Sequence, residues 1–148
     1  MSLKDRLQQD MKDALRGGDK PRLGVIRLIL AAVKQREVDE RIELDDAQIT
    51  TVLDKMTKQR RDSLEQYEKA GRDDLAKQES FELDILKFYL PEQLGDAEID
   101  ALIEEAIQTT GAGSMKDMGK VMGRLKGKLQ GRADMGAVSS KIKARLAG

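Results

Sequence analysis

The sequence predicts an all-α protein, and three observations support that fold class. Only 3% of the residues are aromatic and only two are proline, whereas Leu, Ala, Lys, Glu, Gln and Met are prominent; this composition favours helices. Apolar residues recur at three- and four-residue spacing along most of the chain, and no segment has the convincing features of a strand. We therefore expect a multihelical protein with an N-terminal four-helix domain at residues 1–91 and a small C-terminal three-helix domain at residues 92–148.

The first two helices are indicated by their end signals. Ser2 with Asp5 resembles a capping box, and Gly17-Gly18 ends the first amphipathic helix. Pro21 suits the opening turn of the second helix. This second helix is apolar on most of its sides, so we expect it to be the central buried helix of the N-terminal domain.

The third and fourth helices complete the predicted N-terminal domain. The charged residues 36–45 show no helical period and are expected to form a connection. Asp45 or Asp46 is expected to cap the third helix, and Gly71 to end it. The fourth helix is expected from about residue 73 to residue 90, where the following proline stops it.

The domain boundary is expected at residues 91–96, which contain a proline, a glycine and a change in charge. Asp96 is expected to cap the fifth helix. Residues 109–114 (TTGAGS) have the composition of a loop. Two short helices, at about residues 115–129 and 134–146, complete the predicted C-terminal domain.

Several classes of site are excluded by composition. The chain has neither Cys nor His, which excludes disulfides, Cys or His zinc sites, Cys nucleophiles and His-centred triads. No phosphate-binding loop, dinucleotide fingerprint or nucleophile elbow is present, and no pair of carboxylates is singled out as a dyad or a metal site. We expect no catalysis by this chain alone, no cofactor and no bound metal.

The N-terminal stretch and the apolar segments indicate where the protein is expected to reside. The first ten residues are charged and lack the apolar core of a signal peptide. The longest strongly apolar run, residues 23–33, contains Arg27 and is too short to span a bilayer. These features predict a soluble, cytoplasmic protein with no membrane association.

The formal net charge of zero hides a strongly uneven distribution. Residues 91–110 carry six acidic side chains and no basic one. Residues 111–148 carry nine basic side chains against two acidic ones. A basic block of this kind points to an anionic partner.

The basic block contains glycines in register. Four of them recur every four residues, at Gly119, Gly123, Gly127 and Gly131. The five basic residues between and beside them are Lys120, Arg124, Lys126, Lys128 and Arg132. On a helix this spacing produces a strip without side chains, although each interior glycine costs about 1 kcal/mol relative to alanine. Two interpretations stay open: a close helix–helix crossing with Gly127 or Gly131 as a helix C-cap, or close approach of a nucleic-acid backbone whose phosphates meet Lys and Arg.

Motifs in collinear order resemble the YqeY-like family across nearly the whole chain. They are residues 28–38 (LILAAVKQREV), Tyr67 with 70–75 (AGRDDL), 85–94 (ILKFYLPEQL), 118–123 (MGKVMG) and 131–134 (GRAD). The resemblance implies the GatB/YqeY fold, which the family shares with the C-terminal tail of the GatB subunit of the tRNA-dependent amidotransferase. That enzyme converts Glu-tRNA(Gln) or Asp-tRNA(Asn) to the amide form, and its tail helps to hold the tRNA while other domains perform the chemistry.

The resemblance also implies site residues. The glycine- and lysine-rich stretch of the tail falls on Gly119, Lys120, Gly123, Lys126, Gly131, Arg132 and Ala133. The tail commonly continues with Asn-Pro, whereas Asp134 follows here. An aspartate can cap the last helix equally well, but it would repel a nearby phosphate.

These observations predict a non-catalytic protein that binds tRNA or assists a tRNA amidotransferase. A family-level description as a carbon–nitrogen ligase with glutamine as amido-N-donor would be inherited from the larger enzyme. The nucleic-acid-binding residues are expected to be Gly119, Lys120, Gly123, Arg124, Lys126, Lys128, Gly131 and Arg132. The alternative is a protein-interaction adaptor, in which the acidic helix at residues 96–107 and the basic end dock an aminoacyl-tRNA synthetase or an amidotransferase component.

Overall fold

The computed structural model describes residues 1–147, and every regular element in that range is helical. The predicted all-α fold class is therefore confirmed. The chain divides into two compact units that meet in sequence between Leu90 and Pro91. The first unit contains α1 (Leu3–Arg16), α2 (Lys20–Glu40), α3 (Asp46–Lys69) and α4 (Asp73–Tyr89). The second contains α5 (Asp96–Thr110), a short 3-10 helix (Met115–Asp117), α6 (Met118–Leu129) and α7 (Met135–Ala147).

The core of the first unit draws on all four of its helices. Leu7 of α1, Ile29 of α2, Leu53 of α3 and Leu86 of α4 are almost completely buried in one cluster. The start of α1 follows its predicted signal, whereas the N-cap of α5 is Gly95 and the predicted cap Asp96 is the first residue of that helix. The Ser2 side chain accepts a hydrogen bond from the backbone N–H of Asp5 and caps α1.

The start of α3 resolves which aspartate caps it. Asp45 accepts a hydrogen bond from the backbone N–H of Gln48, and the Gln48 side chain accepts one from the backbone N–H of Asp45. This reciprocal pair is a capping box. The acid that follows it, Asp46, is the first residue of the helix.

The expectation that residues 36–45 form a connection is wrong for residues 36–40, which continue α2. Glu37 is buried, and it accepts hydrogen bonds from Lys4 Nζ at 2.7 Å and from the backbone N–H of Leu44 at 2.9 Å. Arg36 pairs with Glu40 one turn further along the helix. The charged segment is helical because its side chains find these partners.

Acid is expected to destabilise the first unit through Glu37. The hydrogen bond from Lys4, followed by that from Leu44, holds the pKa of Glu37 below its usual range. A carboxyl whose pKa is lower in the folded than in the unfolded state stabilises the fold above the unfolded pKa, and that contribution is lost as pH falls through the folded pKa. Urea titrations of wild type and Glu37→Gln should therefore show a steeper loss of stability in wild type below about pH 4. Parallel pH profiles for the two proteins would contradict this account.

The second unit has its own core. All three helices contribute side chains that are at most 1% exposed: Ile103 of α5, Val121 and Leu125 of α6, and Ile142 of α7. The predicted single helix at residues 115–129 is instead the 3-10 helix followed by α6. Asp117 lies at this junction, where its Oδ2 accepts a hydrogen bond from the backbone N–H of Gly113. That bond ties the preceding loop to the start of α6.

Candidate nucleic-acid interface

The helix α6 has one buried face and one exposed face. Val121, Leu125 and Leu129 are at most 1% exposed and belong to the core of the second unit. Their spacing of four residues directs them to one side of the helix. The packing of this side fixes which residues of α6 face solvent.

The exposed face contains three of the four glycines. Gly119, Gly123 and Gly127 are exposed, and a Cβ built on any of them would have no atom within 4 Å apart from the local backbone. A close helix–helix crossing at these glycines is therefore excluded within the described chain. We refer to these three residues as the glycine row. Packing does not account for it, although each of its members weakens the helix.

The basic residues of α6 flank the glycine row. At about 100° of rotation per residue, Lys120, Arg124 and Lys128 form a line along one side of the row and Lys126 lies on its other side. All four side chains are exposed. Successive members of the line are separated by about 6 Å along the helix axis. The glycine row and these four residues together are termed the α6 face.

The cations of the α6 face have few partners of their own. Within residues 1–147, Arg124, Lys126 and Lys128 have no carboxylate within ion-pair distance, and Lys120 has only a 3.9 Å contact with Asp117 Oδ1. The Lys120 side chain is itself 71% exposed in that contact. A pair of this kind contributes little to stability. The charges are free to meet an external anion.

The acidic residues of α5 pair with α7 instead. Lys141 Nζ lies 2.9 Å from Asp100 Oδ1 and 3.7 Å from Asp96 Oδ1, and Arg145 pairs with Glu104. The hydrogen bond to Asp100 raises the pKa of Lys141. Basic residues of α7 are thus partly neutralised within the unit, whereas those of α6 are not.

The last glycine and the last basic residue of the predicted set lie apart from the α6 face. Gly131 is buried with a φ of +77°, in the turn that follows α6, and its carbonyl accepts a hydrogen bond from Gln93 Nε2 at 2.6 Å. Arg132 is half-buried, and its Nε donates to the carbonyl of Glu92 at 3.1 Å. Both residues hold the segment before α5 against the turn. The C-cap of α6 is Gln130, so neither Gly127 nor Gly131 is the predicted C-cap; Gly131 follows the cap with a positive φ, which favours glycine.

Asp134, where the sequence departs from the amidotransferase tail, caps α7. Its Oδ1 accepts a hydrogen bond from the backbone N–H of Gly136 at 2.9 Å, and its carbonyl accepts one from Val138. This capping role explains why an aspartate occupies position 134, although the preceding segment is basic. The neighbouring Ala133 is buried in the core of the unit.

Residues 1–147 contain neither a cluster suited to a metal ion nor a membrane span. No group of three or more Asp or Glu side chains there is arranged to hold a metal ion. None of the helices in that range combines the length and apolar character needed to cross a membrane. The α6 face is the candidate site that follows from the predicted residues.

The architecture defines a class of small, all-helical proteins in which a basic helix of the second unit is exposed. A family model described as "Yqey-like protein" matches residues 4–146, and the chain belongs to the YqeY family. This assignment confirms the resemblance seen in the sequence motifs.

Several fungal proteins are similar to this chain over most of its length. The chain is 35% identical over 141 residues to "Altered inheritance of mitochondria protein 41, mitochondrial" of Pyrenophora tritici-repentis, covering 93% of this chain and 77% of the relative. The protein of that name from Lachancea thermotolerans is 31% identical over 143 residues, with coverages of 92% and 76%. That from Vanderwaltozyma polyspora is 28% identical over 147 residues, with coverages of 94% and 79%.

These names contradict the predicted cytoplasmic location, because the relatives are named as mitochondrial proteins. The prediction depended on the lack of an apolar core in the first ten residues and on the lack of an apolar run long enough to span a bilayer. Neither feature distinguishes the cytosol from the interior of an organelle. These two features alone were therefore an insufficient basis for assigning a location.

Proposed function

We propose that this protein is a non-catalytic accessory factor that binds tRNA through the α6 face. The observation that carries the proposal is the glycine row, which is exposed, free of packing contacts and flanked by basic side chains. Backbone phosphates approach such a surface closely because no side chain intervenes, and Lys and Arg neutralise their charge.

The second unit has no aromatic residue in its sequence, and this limits how it can recognise RNA. All aromatic residues of the chain precede Pro91: Tyr67, Phe81, Phe88 and Tyr89. Stacking of unpaired bases on aromatic rings therefore has no part in binding by the second unit. Phosphate contacts and the shape of the RNA backbone supply the affinity.

The biological role is proposed from the resemblance to the amidotransferase tail. That tail helps to hold tRNA while chemistry takes place in other domains. By analogy, this chain holds a tRNA and presents it to an aminoacyl-tRNA synthetase or an amidotransferase component. Any transfer of an amide from glutamine is performed by the partner.

Fluorescence anisotropy with labelled tRNA(Gln) tests the proposal. The full chain is titrated at low salt against the tRNA and against a duplex DNA of the same charge. Tighter binding to the tRNA is the expected result, because the phosphate spacing and groove shape of A-form RNA differ from those of DNA. Equal affinities would identify an unspecific basic surface. Absence of binding to either at low salt would reject the function, and a partner that is captured after nuclease treatment would then favour the adaptor alternative.

A further inference from the structure

A second exposed surface lies on α2, in the first unit. Seven of its positions alternate at spacings of four and three residues, and all of them are exposed. Every seventh residue is basic, and small or apolar residues occupy the positions between. In order they are Lys20, Gly24, Arg27, Ala31, Lys34, Val38 and Arg41, the last being the C-cap of the helix. We refer to these seven residues as the α2 row.

The described chain does not cover the α2 row. None of its four cations lies within ion-pair distance of a carboxylate in residues 1–147, as the ion pairs of α2 instead involve Arg36 and Glu37. A Cβ at Gly24 would have no neighbour within 4 Å, and Val38 is 60% exposed. The opposite side of α2 packs into the core of the first unit through Val25, Ile29 and Val33. The α2 row is therefore not needed to hold the first unit together.

The spacing of the α2 row is that of a helix–helix seam. Alternation of four and three residues keeps the same strip of a helix facing a partner helix that crosses at about 20°. The small side chains of Gly24 and Ala31 allow the partner backbone to come close. The helix that carries the row has 21 residues and a length of about 31 Å, which is enough for three heptads.

The charges of the α2 row determine the chemistry of the partner. Its basic residues recur about every 10 Å along the helix, so the matching surface carries acidic side chains with the same seven-residue period. A second helix has that period, whereas a phosphate backbone does not. The exposed apolar groups of Val38 and of the neighbouring Leu28 gain from contact with aliphatic side chains and gain nothing from phosphates.

We infer that the α2 row is a docking surface for an acidic amphipathic helix of a partner protein, bearing Glu or Asp at every seventh residue. This inference is independent of tRNA binding, because it concerns another unit, other residues and another class of partner. Either proposal can fail while the other holds.

Anisotropy with three labelled peptides of 21 residues tests the inference on the full chain. The first peptide carries Glu at every seventh position and Leu four residues after each Glu. The second replaces each Glu with Lys, and the third has the composition of the first in scrambled order. We expect binding of the first peptide to be at least tenfold tighter than that of the other two.

Reversing two charges of the α2 row tests whether the peptide binds at that row. Arg27→Glu/Lys34→Glu should weaken binding of the first peptide at least tenfold and create binding of the Lys peptide. The matched control, Lys58→Glu/Lys77→Glu, changes two exposed bases of α3 and α4 and should leave both affinities unchanged. Far-UV circular dichroism checks that each variant is folded.

Three outcomes would overturn the inference. Equal binding of the first and scrambled peptides would mean that bulk charge, and no helical register, is recognised. Failure of the Lys peptide to bind the exchanged variant would place the contact elsewhere. Loss of tRNA affinity in that variant, with no peptide binding to wild type, would assign the α2 row to nucleic acid.

Discussion

Replacing Arg124 and Lys128 together with alanine is expected to weaken tRNA binding by at least tenfold at low salt. Hydrogen bonds to charged groups contribute about 1.5 kcal/mol each, and 1.4 kcal/mol corresponds to a factor of ten in affinity. Both side chains are exposed and unpaired in the described chain, so part of that energy is lost to solvent screening. The free energy of unfolding should be unchanged, since neither residue packs in the core.

The matched control for this variant is Lys58→Ala/Lys77→Ala, which removes two exposed bases from the first unit. It produces the same change in net charge without touching the α6 face. If both double variants lose affinity equally, overall charge is responsible. If the Arg124/Lys128 variant binds tRNA as tightly as wild type, these residues have no part in the interface.

Replacing the glycine row with alanine should make the protein more stable and a poorer tRNA ligand. Gly119, Gly123 and Gly127 are helical and have open space where a Cβ would be added. Alanine at an interior helical position is favoured by about 1 kcal/mol over glycine, and the first and last turns gain less. We expect the triple variant to gain about 2 kcal/mol in free energy of unfolding by urea titration. Its affinity for tRNA should fall, because three methyl groups now separate the backbone from the phosphates.

Gly131→Ala is the control. This variant should be less stable than wild type, whereas the triple variant should be more stable. The φ of Gly131, +77°, lies in the left-handed region, where a Cβ costs about 1–2 kcal/mol. This variant should be destabilised and yet retain its affinity for tRNA under conditions in which it is folded. Unchanged tRNA affinity in the triple variant would show that the glycine row serves no close approach.

Local signals in the sequence were sufficient to predict most of the fold. Ser2, Asp45 and Asp134 mark helix starts because capping depends on hydrogen bonds within a few residues. The full length of α2 was not predictable in this way. Its last turn depends on Glu37 meeting Lys4, a residue 33 positions away in sequence.

The candidate site was predictable as a segment but not as a surface. Regular spacing grouped Gly131 and Arg132 with α6, although the helix ends at Leu129 and the next residues form a turn. Sequence also could not show that the acids of α5 pair with Lys141 and leave the α6 cations free. Both distinctions depend on tertiary packing, which a spacing pattern does not contain.

The most direct test of tRNA binding by the α6 face is the salt dependence of tRNA(Gln) affinity, measured by anisotropy for wild type and for Arg124→Ala/Lys128→Ala. Each neutralised phosphate contributes about 0.7–0.9 to the slope of log affinity against log salt. With three or four contacts, wild type should show a slope of about −3, and the variant a slope shallower by about 1.5. Equal slopes for the two proteins would contradict the proposal that Arg124 and Lys128 meet tRNA phosphates.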